Sequence, residues 1–181
     1  NLIVGALLFS CTGHVNAQSL TLRVDNIDQI VDSMTLEEKV NLLVGRNDYL
    51  FGGYEKLDKA PRVMDSSISG FTQVIPRLGI PATGLADGPA GAVVVTRPDS
   101  KKNYYATGFP IGSLLACSWN TGLVETIGQA IGNEILEYGV DVVLAPGMNI
   151  HRSPLCGRNY EYFSEDPVLT GKIAAAYIRG V

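Results

Sequence analysis

The chain has 181 residues, of which 46% are apolar and 18% charged, with a formal net charge of −4 and 20 glycines. Its length suits roughly one globular domain of ~100–200 residues. The acidic balance, with no basic stripe to neutralise phosphates, excludes a nucleic-acid partner.

At the amino end, Leu2-Ile-Val-Gly-Ala-Leu-Leu-Phe9 is apolar but far shorter than the ~20 residues of a membrane-spanning helix, so no stable membrane span is expected. Cys11 and then Val15-Asn16-Ala17 follow, the latter a small-residue pattern of the kind cut by signal peptidase. Residues 1–17 therefore read as the remnant of a secretory signal peptide without its basic start, which implies export to the periplasm or the extracellular space. Leu8-Phe9-Ser10-Cys11 loosely resembles a lipoprotein box, so anchoring through an acylated Cys11 is the second route; Phe9 fits the box poorly and ranks it below cleavage after Ala17. Of the other cysteines, Cys117 and Cys156 read as small buried hydrophobes rather than a disulfide. No His/Cys spacing matches a metal set, and no cofactor is implied.

Further along, Thr35-Leu-Glu-Glu38 is a capping box that opens a helix with Leu36, Val40, Leu43 and Val44 on one face, directed to the core, and Gly45 as its stop. A turn of helix over Ile27–Val31 precedes it. Residues 46–75 lack any period and read as a loop-rich excursion.

From Pro76 the pattern changes. A short apolar strand, Thr83–Ala86, ends in Asp87-Gly-Pro-Ala-Gly91, which leaves a carboxylate at the strand's end. An Asp before Gly is by itself a turn former; its weight comes from repetition of the same arrangement. Ser113–Cys117 reads as a second strand, followed by a helix with Asn120 as N-cap and Leu123, Val124, Ile127, Ile131 and Ile135 at helical spacing, ended by Gly139. Val140–Leu144 reads as a third strand. It leads into a long polar loop carrying His151, Arg152, Arg158, Asn159, Glu161, Glu165 and Asp166, before Asp166-Pro167 opens a last helix that buries Leu169, Ile173, Ala176 and Tyr177. Strands alternating with helices imply an α/β fold with a parallel sheet, whose ligands bind at the carboxyl ends of the strands. No Gly-rich phosphate loop follows any of these strands, which disfavours a nucleotide-binding barrel.

Four segments, in this order, resemble the N-terminal barrel domain of family 3 glycoside hydrolases of the β-glucosidase type. They are Met34-Thr-Leu-Glu-Glu-Lys-Val40; Ile80-Pro with Leu85-Ala-Asp-Gly-Pro-Ala-Gly91; Phe109-Pro with Ser118-Trp-Asn120; and Ala145-Pro-Gly-Met-Asn-Ile-His-Arg-Ser-Pro154 with Gly157-Arg-Asn-Tyr-Glu-Tyr-Phe-Ser-Glu-Asp-Pro167. The resemblance implies that residues 18–181 are the N-terminal part of a (β/α)8 TIM-type barrel, truncated, with its first three β/α units. It also implies a retaining exo-acting enzyme acting on terminal β-D-glucosyl residues of a glucoside or β-linked oligosaccharide. The family's nucleophile and acid/base do not map onto this chain, so no catalytic residue is assigned within it.

By the same resemblance Asp87 accepts hydrogen bonds from sugar hydroxyls, and Arg158 donates to the same sugar. Glu161, three residues on, is placed to orient Arg158, while His151 is either structural or a substrate contact. Trp119 either packs or stacks on a sugar. Family members commonly carry an Arg soon after the Asp-Gly-Pro-Ala-Gly run; here Ala92-Val-Val-Val95 intervenes and Arg97 is the candidate for that contact. Rival readings are a β-xylosidase or β-glucan exohydrolase of the same family, and a non-catalytic carbohydrate-binding exported protein. The oligomeric state is left open.

Overall fold

The computed structural model describes residues 20–45, 66–67, 69–96 and 103–181. The expected signal segment with Cys11, most of the 46–75 excursion, and Arg97 lie outside the described residues.

Helices α1 (Ile27–Ser33) and α2 (Leu36–Val44) come first. Thr35 caps α2 reciprocally: its hydroxyl accepts from the Glu38 N–H at 3.2 Å, and the Glu38 carboxylate accepts from the Thr35 N–H at 2.8 Å. Arg77, in the 3-10 turn Pro76–Leu78, donates to Glu38 at 2.7 Å and to the Ser33 carbonyl at 2.8 Å. The Arg77 guanidinium, together with the Thr35 N–H, holds the Glu38 carboxyl down to about 2.

On the same side of α2 as Glu38, half-buried Leu42 packs on a small cluster of Ile30, Met34, Ile75 and Leu78. The face expected to serve the core therefore points outward, with Leu36 78% and Leu43 87% exposed. Val40 and Val44 are exposed with them. Periodicity located an apolar stripe, but the side of α2 that packs is the one carrying Leu42 and the Glu38–Arg77 pair.

Strand β1 (Ser66–Ser67) pairs antiparallel with β4 (Val95–Thr96). A separate sheet of β2 (Gly70–Phe71), β3 (Gly84–Asp87) and β5 (Val142–Leu144) has the order β2-β3-β5. β2 is antiparallel to β3, and β3 is parallel to β5.

Between β3 and β5 lie α3 (Gly112–Cys117) and α4 (Thr121–Glu137). The expected strand at Ser113–Cys117 is thus a helix, and the sequence of three parallel strands reduces to one parallel pair. A five-residue apolar run cannot separate strand from buried helix by period alone. Gly112-Ser-Leu-Leu-Ala-Cys117 holds no β-branched residue, and its Leu and Ala are strong helix formers. Leu115 and Ala116 are buried while Leu114 is exposed, as on a helix with one covered side.

α4 begins as its N-cap dictates, with the Asn120 side chain accepting from the Leu123 N–H at 3.0 Å. Asp166 does the same for α5 (Pro167–Gly180), accepting from the Val168 N–H at 2.8 Å. Val124, Ile131 and Ile135 of α4 meet Ile173, Ala176 and Tyr177 of α5 in the main core, which also contains Ala86 of β3. Each such aliphatic side chain, fully buried, stabilises by about 1.5–3 kcal/mol relative to exposure. Cys117 and Cys156 are free and exposed rather than buried, because one ends α3 and the other lies in the surface loop that precedes Arg158. Among the described residues no helix is long and apolar enough to cross a membrane.

Candidate functional site

The parallel register sets the site. Asp87 stands opposite Leu144, so β3 and β5 finish side by side and release their loops from the same sheet edge. Between these loops lies a cavity of about 730 Å3, whose lining includes Asp87, Gly91, Ile111, Gly112, Leu144, Pro146, Asn149, Arg158, Tyr160, Glu161 and Tyr162. The Ala145–Pro146 peptide is cis.

Asp87 is the last residue of β3 and its backbone is fully engaged. Its N–H donates to Ser69 Oγ at 2.8 Å and its carbonyl accepts from the Val93 N–H at 2.8 Å. Among the described residues its exposed carboxylate has no protein partner, which leaves both oxygens available to a ligand's donors. The following turn closes on itself, with the Gly91 N–H donating to the Gly88 carbonyl at 3.3 Å.

Arg158 is held differently. The loop that carries it is stitched internally: the Asn159 side-chain amide donates to the Ser153 carbonyl at 2.8 Å, and the Asn159 N–H to the Cys156 carbonyl at 3.2 Å. The 3-10 turn Asn159–Glu161 then brings Glu161 back to the Arg158 Nε. The Arg158 side chain is 72% exposed and the Glu161 side chain only 12%. That carboxylate, hydrogen-bonded to it, pushes the guanidinium further above its already high range, so Arg158 is a permanent cation. The Tyr162 ring supports it, with Arg158 Cζ 6.0 Å from the ring centroid. Since Glu161 takes the Nε side, the two terminal nitrogens remain as a planar pair of donors. An acceptor-only carboxylate and a donor-only guanidinium on one cavity form a complementary grip for a ligand rich in hydroxyls, each of which both donates and accepts.

Of the other residues singled out in the sequence, His151 lies beside this cavity rather than on its lining. Its N–H donates to the Ser164 carbonyl at 3.2 Å and its ring centroid is 6.3 Å from that of Tyr162, while its Nε2 is buried with no partner among the described residues. Trp119, which follows α3 with φ +52°, is 74% exposed, so it is not packed in the described core, and it lines no part of the cavity, so it is not placed to stack on a ligand there. Asn149, Tyr160 and Tyr162 were missed as lining residues. Their signal was their place in the same polar loop as Arg158.

Tyr177 was assigned only to the core, yet it also supports the site. Fully buried on α5, it donates its hydroxyl to the Gly88 carbonyl at 3.3 Å, directly behind Asp87. Burial pushes its phenol up to about 12 from 10.0. The folded state therefore holds this proton where the unfolded chain has released it, so the contribution is complete below about pH 10 and is lost as pH rises through about 12. The shift corresponds to a loss on the order of 2–3 kcal/mol across that window. Tyr177→Phe is expected to cost about 1 kcal/mol at pH 8 and to flatten the stability change between pH 9 and 11.5, as read from urea melts at the two pH values.

Comparison with known proteins bears on the same residues. The model of the glycosyl hydrolase family 3 N-terminal domain matches residues 58–181. The chain is 40% identical over 161 residues to thermostable beta-glucosidase B of Acetivibrio thermocellus, covering 86% of this chain and 18% of that protein. It is 39% identical over 155 residues to beta-glucosidase B of Emericella nidulans, covering 86% of this chain and 16% of that protein. Among solved structures, beta-glucosidase 3B from Thermotoga neapolitana in complex with alpha-D-glucose superposes with a TM-score of 0.71 at 49% identity, over 85% of this chain and 21% of that one. The chain thus spans about a fifth of the length of the relatives it matches. With the family model covering Asp87 and the whole Arg158 loop, and with identities of 40% and 49% over 86% and 85% of this chain, the chain belongs to the N-terminal domain family of the family 3 glycosyl hydrolases.

Proposed function

We propose that this chain supplies the sugar-gripping part of a retaining, exo-acting β-glucosidase, which hydrolyses terminal β-D-glucosyl residues. Asp87 accepts from neighbouring hydroxyls of the terminal sugar, and Arg158, aligned by Glu161 and Tyr162, donates to the same ring. The observation that carries this reading is the shared cavity, lined by a carboxylate at the end of β3 and by a guanidinium from the loop that follows β5. Its volume falls within the ~300–1,000 Å3 of small-molecule pockets. The attacking carboxylate and the acid/base are not assigned to any residue of this chain; its contribution is binding energy and orientation. The names of the relatives, beta-glucosidases from a bacterium and a fungus, and a neighbour solved with glucose, support the substrate class.

The same proposal extends to the architecture. β3 and β5 are read as adjacent strands of a (β/α)8 barrel formed by residues 18–181 together with further strands. Supporting this, among the described residues β5 is paired on its β3 side only and ends the order β2-β3-β5.

The test uses the full-length enzyme that carries this segment, on paired aryl β-glucoside and aryl β-xyloside substrates. The glucoside is expected to be preferred. Asp87→Asn should lower kcat/KM on it about thirtyfold, the loss of roughly one charge-assisted hydrogen bond. A preference for the xyloside would reassign the substrate, and an Asp87→Asn enzyme with unchanged kcat/KM would remove the sugar-gripping role.

A further inference from the structure

We propose that Glu134, on α4 and outside the cavity, is a positioning residue that sets the place of Asp87 through a strap formed by residues 107–113. This rests on the sugar-gripping reading of Asp87 given above.

The strap is fixed at three points. At its start, Glu134 accepts from the Thr107 N–H through both carboxylate oxygens, at 2.9 and 3.1 Å, and from the Thr107 hydroxyl at 3.2 Å. Next, the strap lies flush on the turn behind Asp87. The Phe109 N–H donates to the Ala90 carbonyl at 2.8 Å, and a Cβ placed on Gly91 would come 2.1 Å from the Thr107 carbonyl oxygen. Gly91 has φ +117°, so both its backbone angle and its missing side chain are needed for that approach. At its far end the Ser113 hydroxyl donates to the Tyr160 carbonyl at 3.2 Å, inside the loop that carries Arg158. One segment therefore touches the backbone beside each half of the grip, and the two-oxygen Glu134 contact fastens its start to α4, while Phe109 packs on the main core.

The energetic argument follows from where the freedom lies. Residues 107–111 lie outside any helix or strand, so no regular backbone ladder holds them and the contacts at Thr107 and Phe109 fix their place. Glu134 is partly buried and its helix is anchored in the main core, which makes it a rigid post. Tyr177 bonds the same turn at Gly88, and the Thr107–Phe109 segment bounds it at Ala90 and Gly91. Releasing the strap lets the turn drift, and a displacement well under the length of a hydrogen bond is enough to weaken a directional carboxylate–hydroxyl contact.

A carboxylate that only fastens a surface loop would change stability and leave sugar recognition alone, so the experiment is a double-mutant cycle in the full-length enzyme. Glu134→Ala and Asp87→Asn are made singly and together, with kcat/KM on an aryl β-glucoside and the thermal midpoint measured for each. Glu134→Ala should lower kcat/KM about fivefold alone, and by no more than about 1.5-fold in the Asp87→Asn background, because the contact through which it acts is already gone. The change in thermal midpoint should be the same in both backgrounds. If Glu134→Ala does not yield folded enzyme, Glu134→Gln decides: it keeps one acceptor oxygen for the Thr107 N–H, and about a twofold loss is expected, again confined to the enzyme with Asp87 intact. Equal losses in the two backgrounds, or no loss in either, would overturn the role of Glu134 while leaving Asp87 in place. Asp87→Asn without any effect of its own would overturn the reading beneath it as well.

Discussion

Arg158→Lys in the full-length enzyme is expected to lower kcat/KM for an aryl β-glucoside by a factor on the order of 10²–10³, although the charge is kept. The reason is geometric. Arg158 spends its Nε on Glu161 and keeps two coplanar terminal nitrogens for the ligand, whereas a lysine ammonium is a single point with no fork. Lysine would also leave the largely covered Glu161 carboxylate, 12% exposed, without its hydrogen-bonded partner. Two charge-assisted hydrogen bonds at about 1.5–3 kcal/mol each are at risk, and losing one outright with the other weakened gives the stated range. Glu161→Gln should cost about tenfold, since the guanidinium loses the group that aims it but keeps the Tyr162 ring beneath it. Steady-state kinetics on the three enzymes checks both. Equal activity of the lysine variant would mean that Arg158 serves only as a diffuse positive charge.

Gly128→Leu is expected to destabilise the fold by about 4 kcal/mol, a fall in thermal midpoint of roughly 10 °C for a domain of this size. Gly128 lies where α4 crosses α5, and a Cβ there would come 2.5 Å from the Tyr177 carbonyl oxygen and 3.2 Å from the Gly180 Cα. These are backbone atoms, so relief requires the two helices to separate rather than a side chain to turn. Against this, replacing a mid-helix glycine gains up to about 1 kcal/mol of helix propensity, which is too little to compensate. Gly171, on α5 with open space around it, is the control: Gly171→Ala should be neutral or stabilising by up to about 1 kcal/mol. Denaturant melts of the three proteins decide. Because Tyr177 supports the Gly88 carbonyl, spreading α4 from α5 should also loosen the turn that presents Asp87.

The helix boundaries were legible because they are written in short-range chemistry. Thr35, Asn120 and Asp166 each satisfy a backbone N–H within three residues, and no distant group is needed to predict that. The strand before Asp87 and most of the buried face of α4 were legible for a related reason, namely that burial repeats with the period of the element, although Leu123, expected on that face, is 45% exposed. Where a segment is too short to show a period, as at Ser113–Cys117, the strand reading failed and the helix-forming residues decided. Leu36 and Leu43 mark a second limit, since their stripe is periodic yet exposed.

From the sequence alone came the family, the capped helices and the two chain segments that carry Asp87 and Arg158. Only the tertiary structure decided that these segments leave one sheet edge in register and line one cavity. It alone joined Glu134 to Thr107, 27 residues away, and Tyr177 to Gly88, 89 residues away. Local hydrogen bonding and periodic burial leave a trace in neighbouring residues. A contact between residues far apart in the chain leaves none, because it exists only after the helices have packed and brought its partners together.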